Sequence, residues 1–291
     1  MSLPIKDILT FAAFRPEPLD RGATWASRFP KHNSVLVNLN KSSVNWRIRQ
    51  KNGNILDGGT VEGDLAEAIA TAGDEWKDAT QGGVIGLSIN NRFMIALETN
   101  LSRKQGYREF LRTNPKSVLG SKYERGKRYA IEHHPELNSS LLLAVDEGLV
   151  KDMEEQLHKA DLKAGRISCG LFRMLSESAL EVTDSGAGGK GAAANSLLVV
   201  CYQGSACVLK MQGGTWEELR SRSGIYEDGD SEPVVSLVEP MIDASASTVD
   251  VMIYSDFPQQ LVGDQLQQTR PNARVREASA DGLFWDLIGN H

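Results

Sequence analysis

The feature that most narrows the possible folds is a segment that occurs twice. Ser34 to Gln50, SVLVNLNKSSVNWRIRQ, can be laid without a gap on Ser196 to Gln212, SLLVVCYQGSACVLKMQ, at a constant offset of 162 residues. Ser34, Val37, Ser43 and Gln50 are identical to their partners Ser196, Val199, Ser205 and Gln212. Val35, Leu36, Leu39 and Trp46 meet the apolar residues Leu197, Leu198, Cys201 and Val208. Each copy has an apolar run, a polar turn and a second apolar stretch, as expected of a hairpin. Asn52-Gly53 and Gly213-Gly214 then supply a further turn, because these residues tolerate positive φ. Two three-stranded meanders, each opening one half of the chain, are predicted.

Helical patterns follow the meanders. Asp64 is placed to cap a helix whose Leu65, Ile69, Ala72 and Trp76 form one stripe. Gly83 to Thr99 reads as two strands around Asn90-Asn91, and Ser102 opens a basic helix ending before Pro115. Leu141 to Val145 is a buried strand. Asp146 caps the next helix, with an apolar face of Leu149, Val150, Met153 and Leu157, a Lys151–Glu155 pair, and Gly165 as its stop. Ser185 to Ala194 is low in complexity and reads as a flexible linker. Beyond it lie a strand at Val249 to Tyr254, a helix at Gln259 to Gln268, and a short amphipathic helix at Leu283 to Ile288. Alternation of strands and helices gives the α/β class.

With 41% of its residues hydrophobic the chain can build a core for roughly two domain-sized units, and no apolar run approaches the ~20 residues of a membrane span. Ile8 to Phe14 follows only Lys6 and Asp7 and lacks a small-residue cleavage pattern, so no signal peptide is expected. Cys169, Cys201 and Cys207 have no metal-ligand spacing, which suits a reduced compartment. The net charge of −6 conceals a basic stretch, 103–128, where nine basic side chains face only Glu109 and Glu124.

Enzymatic motifs are absent. Gly186 to Lys190 lacks the spacing of a phosphate-binding P-loop, with Gly191 where a magnesium-holding hydroxyl is needed. His133-His134 has no third ligand at helical spacing, so no metal site is expected. Gly86-Leu87-Ser88 continues with Ile89-Asn90 and makes no nucleophile elbow.

The two meanders, together with the passage LLLAVDEGLVKDMEEQLHKADLKAGRISCGLFRML at Leu141 to Leu175, resemble the actin-like superfamily, and within it the PilM family of type IV pilus assembly proteins. The type II secretion protein GspL is the next neighbour. The resemblance implies an α/β actin-like (ribonuclease H-like) fold, with two related halves and a small α+β insertion in the first. It implies an N-terminal segment 1–33, a first half 34–184 with an insertion at about 83–166, a linker 185–195 and a second half 196–291.

In that family ATP and magnesium lie between the halves. Vestigial phosphate-loop positions are then Asn38, Asn40, Lys41 and Ser42 in the first half, and Val200, Gln203, Gly204 and Ser205 in the second. Vestigial adenosine-loop positions are Ser255, Asp256, Phe257 and Pro258. Asn38 and Val200 stand where strand-end carboxylates would organise the metal. No catalytic residue and no cofactor is therefore expected, with an ATP-binding ATPase or sugar-kinase-like enzyme as the alternative.

The implied role is a scaffold at the cytoplasmic face of an inner membrane, holding the cytoplasmic tail of a single-span membrane protein, with an assembly ATPase as a further partner. Peripheral membrane association, without nucleic acid, is expected. Arg103, Lys104, Arg108, Arg112, Lys122, Arg125, Lys127 and Arg128 are the expected contacts to that partner or to lipid.

Overall fold

The computed structural model describes residues 33–289 except 57, 82–83, 90–92, 100–109, 112, 134–138, 188–194, 214, 227–228 and 259. The first meander consists of β1 (Ser34–Leu39), β2 (Ser43–Arg49) and two short segments, β3 (Ile55–Leu56) and β4 (Thr60–Glu62), both paired to β2. The break falls where Gly58 and Gly59 press on Trp46, leaving no room for side chains. With the parallel strands β5 (Ile85–Ile89) and β9 (Ala164–Ser168) it forms a sheet of order β3-β2-β1-β5-β9.

The second sheet repeats this order as β12-β11-β10-β13-β14, from β10 (Asn195–Tyr202), β11 (Ser205–Gln212), β12 (Thr215–Arg222), β13 (Val249–Ser255) and β14 (Ala273–Ser279). The repeat extends to register. Ser34 lies opposite Arg49, and 162 residues later Ser196 lies opposite Met211. Val35 pairs in parallel with Ile85, as Leu197 does with Val251. Because a one-residue slip would exchange the two faces of a strand, equal registers bury equivalent positions in both sheets.

Helices cover these sheets. α1 (Leu65–Thr80) starts at Asp64, whose carboxylate accepts from the Ala66 and Glu67 amides while Glu67 accepts from the Asp64 amide. Its buried stripe of Leu65, Ala68, Ala72 and Trp76 packs on sheet one, with Trp76 edge-on to Trp46 at 6.3 Å. A third sheet, β6-β8-β7, from β6 (Phe93–Thr99), β7 (Lys127–His133) and β8 (Ser139–Asp146), carries α2 (Pro115–Leu119) over a small core of Leu111, Leu119, Tyr129, Ile131, Leu142 and Ala144. α3 (Glu147–Lys159) is capped by Asp146, as expected. α4 (Gly170–Ala187) and α7 (Ala280–Gly289) pack between the two large sheets, while α5 (Glu232–Val238) and α6 (Leu261–Thr269) cover the far side of sheet two. One apolar core runs from Val35 and Leu87 through Phe172 and Phe284 to Leu198 and Leu209, joining both halves. Each such fully buried side chain contributes about 1.5–3 kcal/mol.

Several expectations need correction. The strands flanking Asn90-Asn91 exist, but β5 enters sheet one and β6 enters sheet three, and the two asparagines lie outside the described residues. Most of the basic helix from Ser102 also lies outside them, while Pro115 opens a helix, its missing N–H matching the unpaired first turn. Lys151 pairs with Glu147 at 3.0 Å and Glu155 with Lys159 at 2.7 Å, each acid preceding its base in the favoured orientation. The helix ends at Lys159, with Asp161 at φ 56°, and Gly165 lies in β9, where a Cβ would sit 2.9 Å from the Ile85 carbonyl oxygen. The supposed linker starts late: α4 continues to Ala187, β10 begins at Asn195, and 188–194 lie outside the described residues. The C-terminal helix is longer than expected and buries Phe284, Trp285 and Ile288. β14 and α5 were not anticipated.

Candidate functional site

The two meander turns face each other across the junction of the halves. In the second turn Tyr202 pairs with Ser205, leaving a two-residue loop of Gln203 at φ 46° and Gly204 at φ 84°. Positive φ at both positions matches the right-handed twist of the flanking strands. The first turn contributes Asn38, fully buried at the end of β1. Its Nδ2 donates to Asn40 Oδ1 at 2.9 Å and, across the junction, to Gln203 Oε1. Of the phosphate-loop positions that the resemblance implies, Asn38, Asn40 and Gln203 are thus brought together, with Gly204 beside Gln203 in the turn. Lys41 and Ser42 are exposed, and the Ser42 carbonyl accepts from the Gly63 amide at 2.7 Å. Val200 and Ser205 are buried.

Asp256 belongs to the same cluster. It follows β13, and its carboxylate accepts from the Gln203 amide at 2.5 Å and from the Tyr226 hydroxyl at 2.8 Å. Tyr226 is held against the turn, because the Ile225 amide donates to the Gly204 carbonyl at 2.7 Å. Its ring packs on Phe257 at 4.7 Å. Burial raises the Tyr226 phenol above its ordinary range, reinforced by neighbouring Cys201 and Asp256. The two strand ends carry no carboxylate, since Asn38 and Val200 stand there; the carboxylate that reaches the junction is that of Asp256, one of the adenosine-loop positions, and it accepts from the chain's own N–H and O–H donors.

The other adenosine-loop positions have their own neighbours. Ser255 Oγ donates to Glu277, whose other oxygen accepts from the Gly263 amide at 2.8 Å. Phe257 is buried, and Pro258 is exposed with its carbonyl accepting from the Leu261 amide at 3.3 Å. Ser255, Phe257, Gln260, Glu277, Ala278 and Ser279 line a cavity of about 190 Å³ at the ends of β13 and β14.

Helix α7 braces the junction from beneath. Tyr202 donates to Asp281 Oδ1 at 2.6 Å, and Trp285 Nε1 donates to the same oxygen at 3.1 Å. Phe284 stacks on Tyr202 at 4.2 Å, and the Arg47 guanidinium lies 5.0 Å from the Trp285 ring centre. Burial, then the bond to Asp281, raises the Tyr202 phenol above its ordinary range. Sequence reasoning missed Arg47, Tyr226, Glu277 and Asp281, which carry no local motif.

Of the basic stretch, Arg103, Lys104, Arg108 and Arg112 lie outside the described residues. Lys122 and Arg125 are exposed on the short connection before β7. Lys127 lies 4.0 Å from Asp146, and Arg128 reaches Glu154 at 3.2 Å and Glu147 at 3.9 Å. Burial raises the Glu154 carboxyl and Arg128 opposes that shift. These ion pairs divert two of the expected partner contacts toward α3. Among the described residues, no three His, Cys, Asp or Glu side chains group as a metal site, and no helix is long and apolar enough to cross a membrane.

No family model and no curated protein matches the sequence. Solved structures do match. A Bacteroides thetaiotaomicron VPI-5482 protein with an actin-like ATPase fold and unknown function has a TM-score of 0.54 at 9% identity, covering 90% of this chain and 98% of its own. The cytoplasmic domain of EpsL, an inner-membrane component of the type II secretion system of Vibrio cholerae, gives 0.51 at 10% identity, covering 88% of this chain and 92% of that one. A PilM-PilN type IV pilus biogenesis complex also gives 0.51, at 9% identity, covering 89% and 98%. At these identities the likeness establishes the fold, and the chain is an α/β protein with the actin-like ATPase fold.

Proposed function

We propose that this chain is a non-catalytic actin-like scaffold of a type IV pilus or type II secretion assembly platform, holding the cytoplasmic tail of a single-span inner-membrane protein. Its likeness over most of its length to the EpsL cytoplasmic domain and to the PilM-PilN complex supports this reading. The single observation that carries the non-catalytic part is the clasp between the turns. Asn38 donates to Gln203 where a nucleotide's phosphates would have to pass, and Asp256 takes the Gln203 amide that would grip them. The residues present do not fit a bound triphosphate with magnesium, so no step of a phosphoryl transfer is assigned to them.

In this role the protein acts through shape. A continuous core and the α7 brace hold the halves in one arrangement, which suits a platform that presents a fixed surface. Arg125, exposed before β7, is a basic group offered to an acidic tail or lipid headgroup.

Titration with the cytoplasmic tail peptide of a candidate single-span inner-membrane partner tests the reading. Saturable binding at or below about 100 μM is expected. Absence of binding, or a saturable thermal stabilisation by Mg-ATP of about 2.7 kcal/mol at a hundredfold excess over Kd, would reject it in favour of a nucleotide-binding enzyme.

A further inference from the structure

We infer that Asp256 is a resident anion that keeps phosphate groups off the turn between β10 and β11. The turn has the build of an anion site: consecutive residues at positive φ, Gln203 and Gly204, with the Gln203 amide aimed outward from the end of the hairpin. That amide donates to a carboxylate of the same chain at 2.5 Å, a charge-assisted bond.

The carboxylate is held in place from two further directions. Tyr226 donates to its other oxygen at 2.8 Å, and the neighbouring Phe257 is buried against the Tyr226 ring, which anchors the backbone on either side of the contact. Tyr226 is in turn fixed to the turn through the Ile225 amide and the Gly204 carbonyl. Asp256 itself is exposed, so a solvent anion has access to the position and must displace a tethered competitor of like charge to take it. Tethering gives that competitor a high effective concentration, and like-charge repulsion adds to the exclusion.

This deepens the reading above, since it names the group that closes the turn to phosphates. Asp256→Ala should open the amide to inorganic phosphate, followed by the Gln203 amide resonance in a 15N spectrum. The expected result is a saturable shift in the variant, with affinity at least about tenfold above that of the wild type, whose resonance stays fixed at the same concentrations. Acetate should bind the variant competitively by restoring the missing carboxylate. Should the alanine variant fail to fold, Asp256→Asn keeps the shape, removes the charge, and is expected to shift in the same direction by less. A folded variant as indifferent to phosphate as the wild type, or a wild type that binds phosphate equally well, would overturn the inference. Tail-peptide binding by the wild type is measured separately. Its loss would sink the scaffold reading and leave this one standing.

Discussion

Gly170→Ala provides the sharpest test of how α7 holds the halves together, because local propensity and tertiary packing predict opposite signs. Gly170 is the first residue of α4, where alanine is the better helix former by up to about 1 kcal/mol. A Cβ built there would lie 2.1 Å from Phe284 Cε2, 2.7 Å from Cζ and 2.9 Å from Cδ2. Carbon atoms in contact prefer about 3.5–4.0 Å, so the ring or the helix must retreat by roughly 1.5 Å. The ring has no free volume to enter. Phe284 is fully buried, stacked on Tyr202 at 4.2 Å and edge-on to Trp285 at 5.3 Å.

Overpacking of this kind destabilises by about 1–3 kcal/mol, which outweighs the helical gain. Thermal unfolding should therefore fall by about 2–4 °C for each kcal/mol lost. Phe284→Leu removes the colliding ring edge and, as a buried large-to-small change, lowers stability by about 2 kcal/mol alone. The double variant should be less destabilised than the sum of the two, with a coupling of about 0.5–3 kcal/mol. A stabilising Gly170→Ala, or additivity of the pair within about 0.5 kcal/mol, would refute the packing argument.

Asp281→Ala should lower stability by about 1–3 kcal/mol, because one carboxylate oxygen accepts from both Tyr202 and Trp285 and its loss strands two donors; thermal unfolding measures it. Tyr202 and Tyr226 both have phenols raised by burial above the ordinary value of 10.0, so their contribution is complete below about pH 10 and is lost as pH climbs above it. Stability should then fall by about 1.4 kcal/mol per pH unit for each of them, and phenolate absorbance should show both titrating only with unfolding; normal titration in the native state would contradict their burial.

The repeat at an offset of 162 was legible because strand register obeys a period of two: apolar alternation within each copy dictates which face is buried, whatever surrounds it. The caps at Asp64 and Asp146 were legible for a similar reason, since a capping carboxylate acts only on amides two or three residues ahead. The linker boundary and the fate of Gly165 were not, because α4 and β9 are stabilised by packing against distant elements. Asp256 shows the limit most directly. Its position after β13 was plain in the sequence, yet its partners Gln203 and Tyr226 lie 53 and 30 residues away.

By itself, then, the sequence determined two related α/β halves, each opening on a meander, through periodicity and short-range hydrogen bonding. Only the tertiary structure decided what happens between them: the Asn38–Gln203 clasp, the Asp256 contact and the wedge of Phe284 against Gly170. Each of these joins residues whose meeting depends on how the sheets are packed, and local pattern carries no record of that distance.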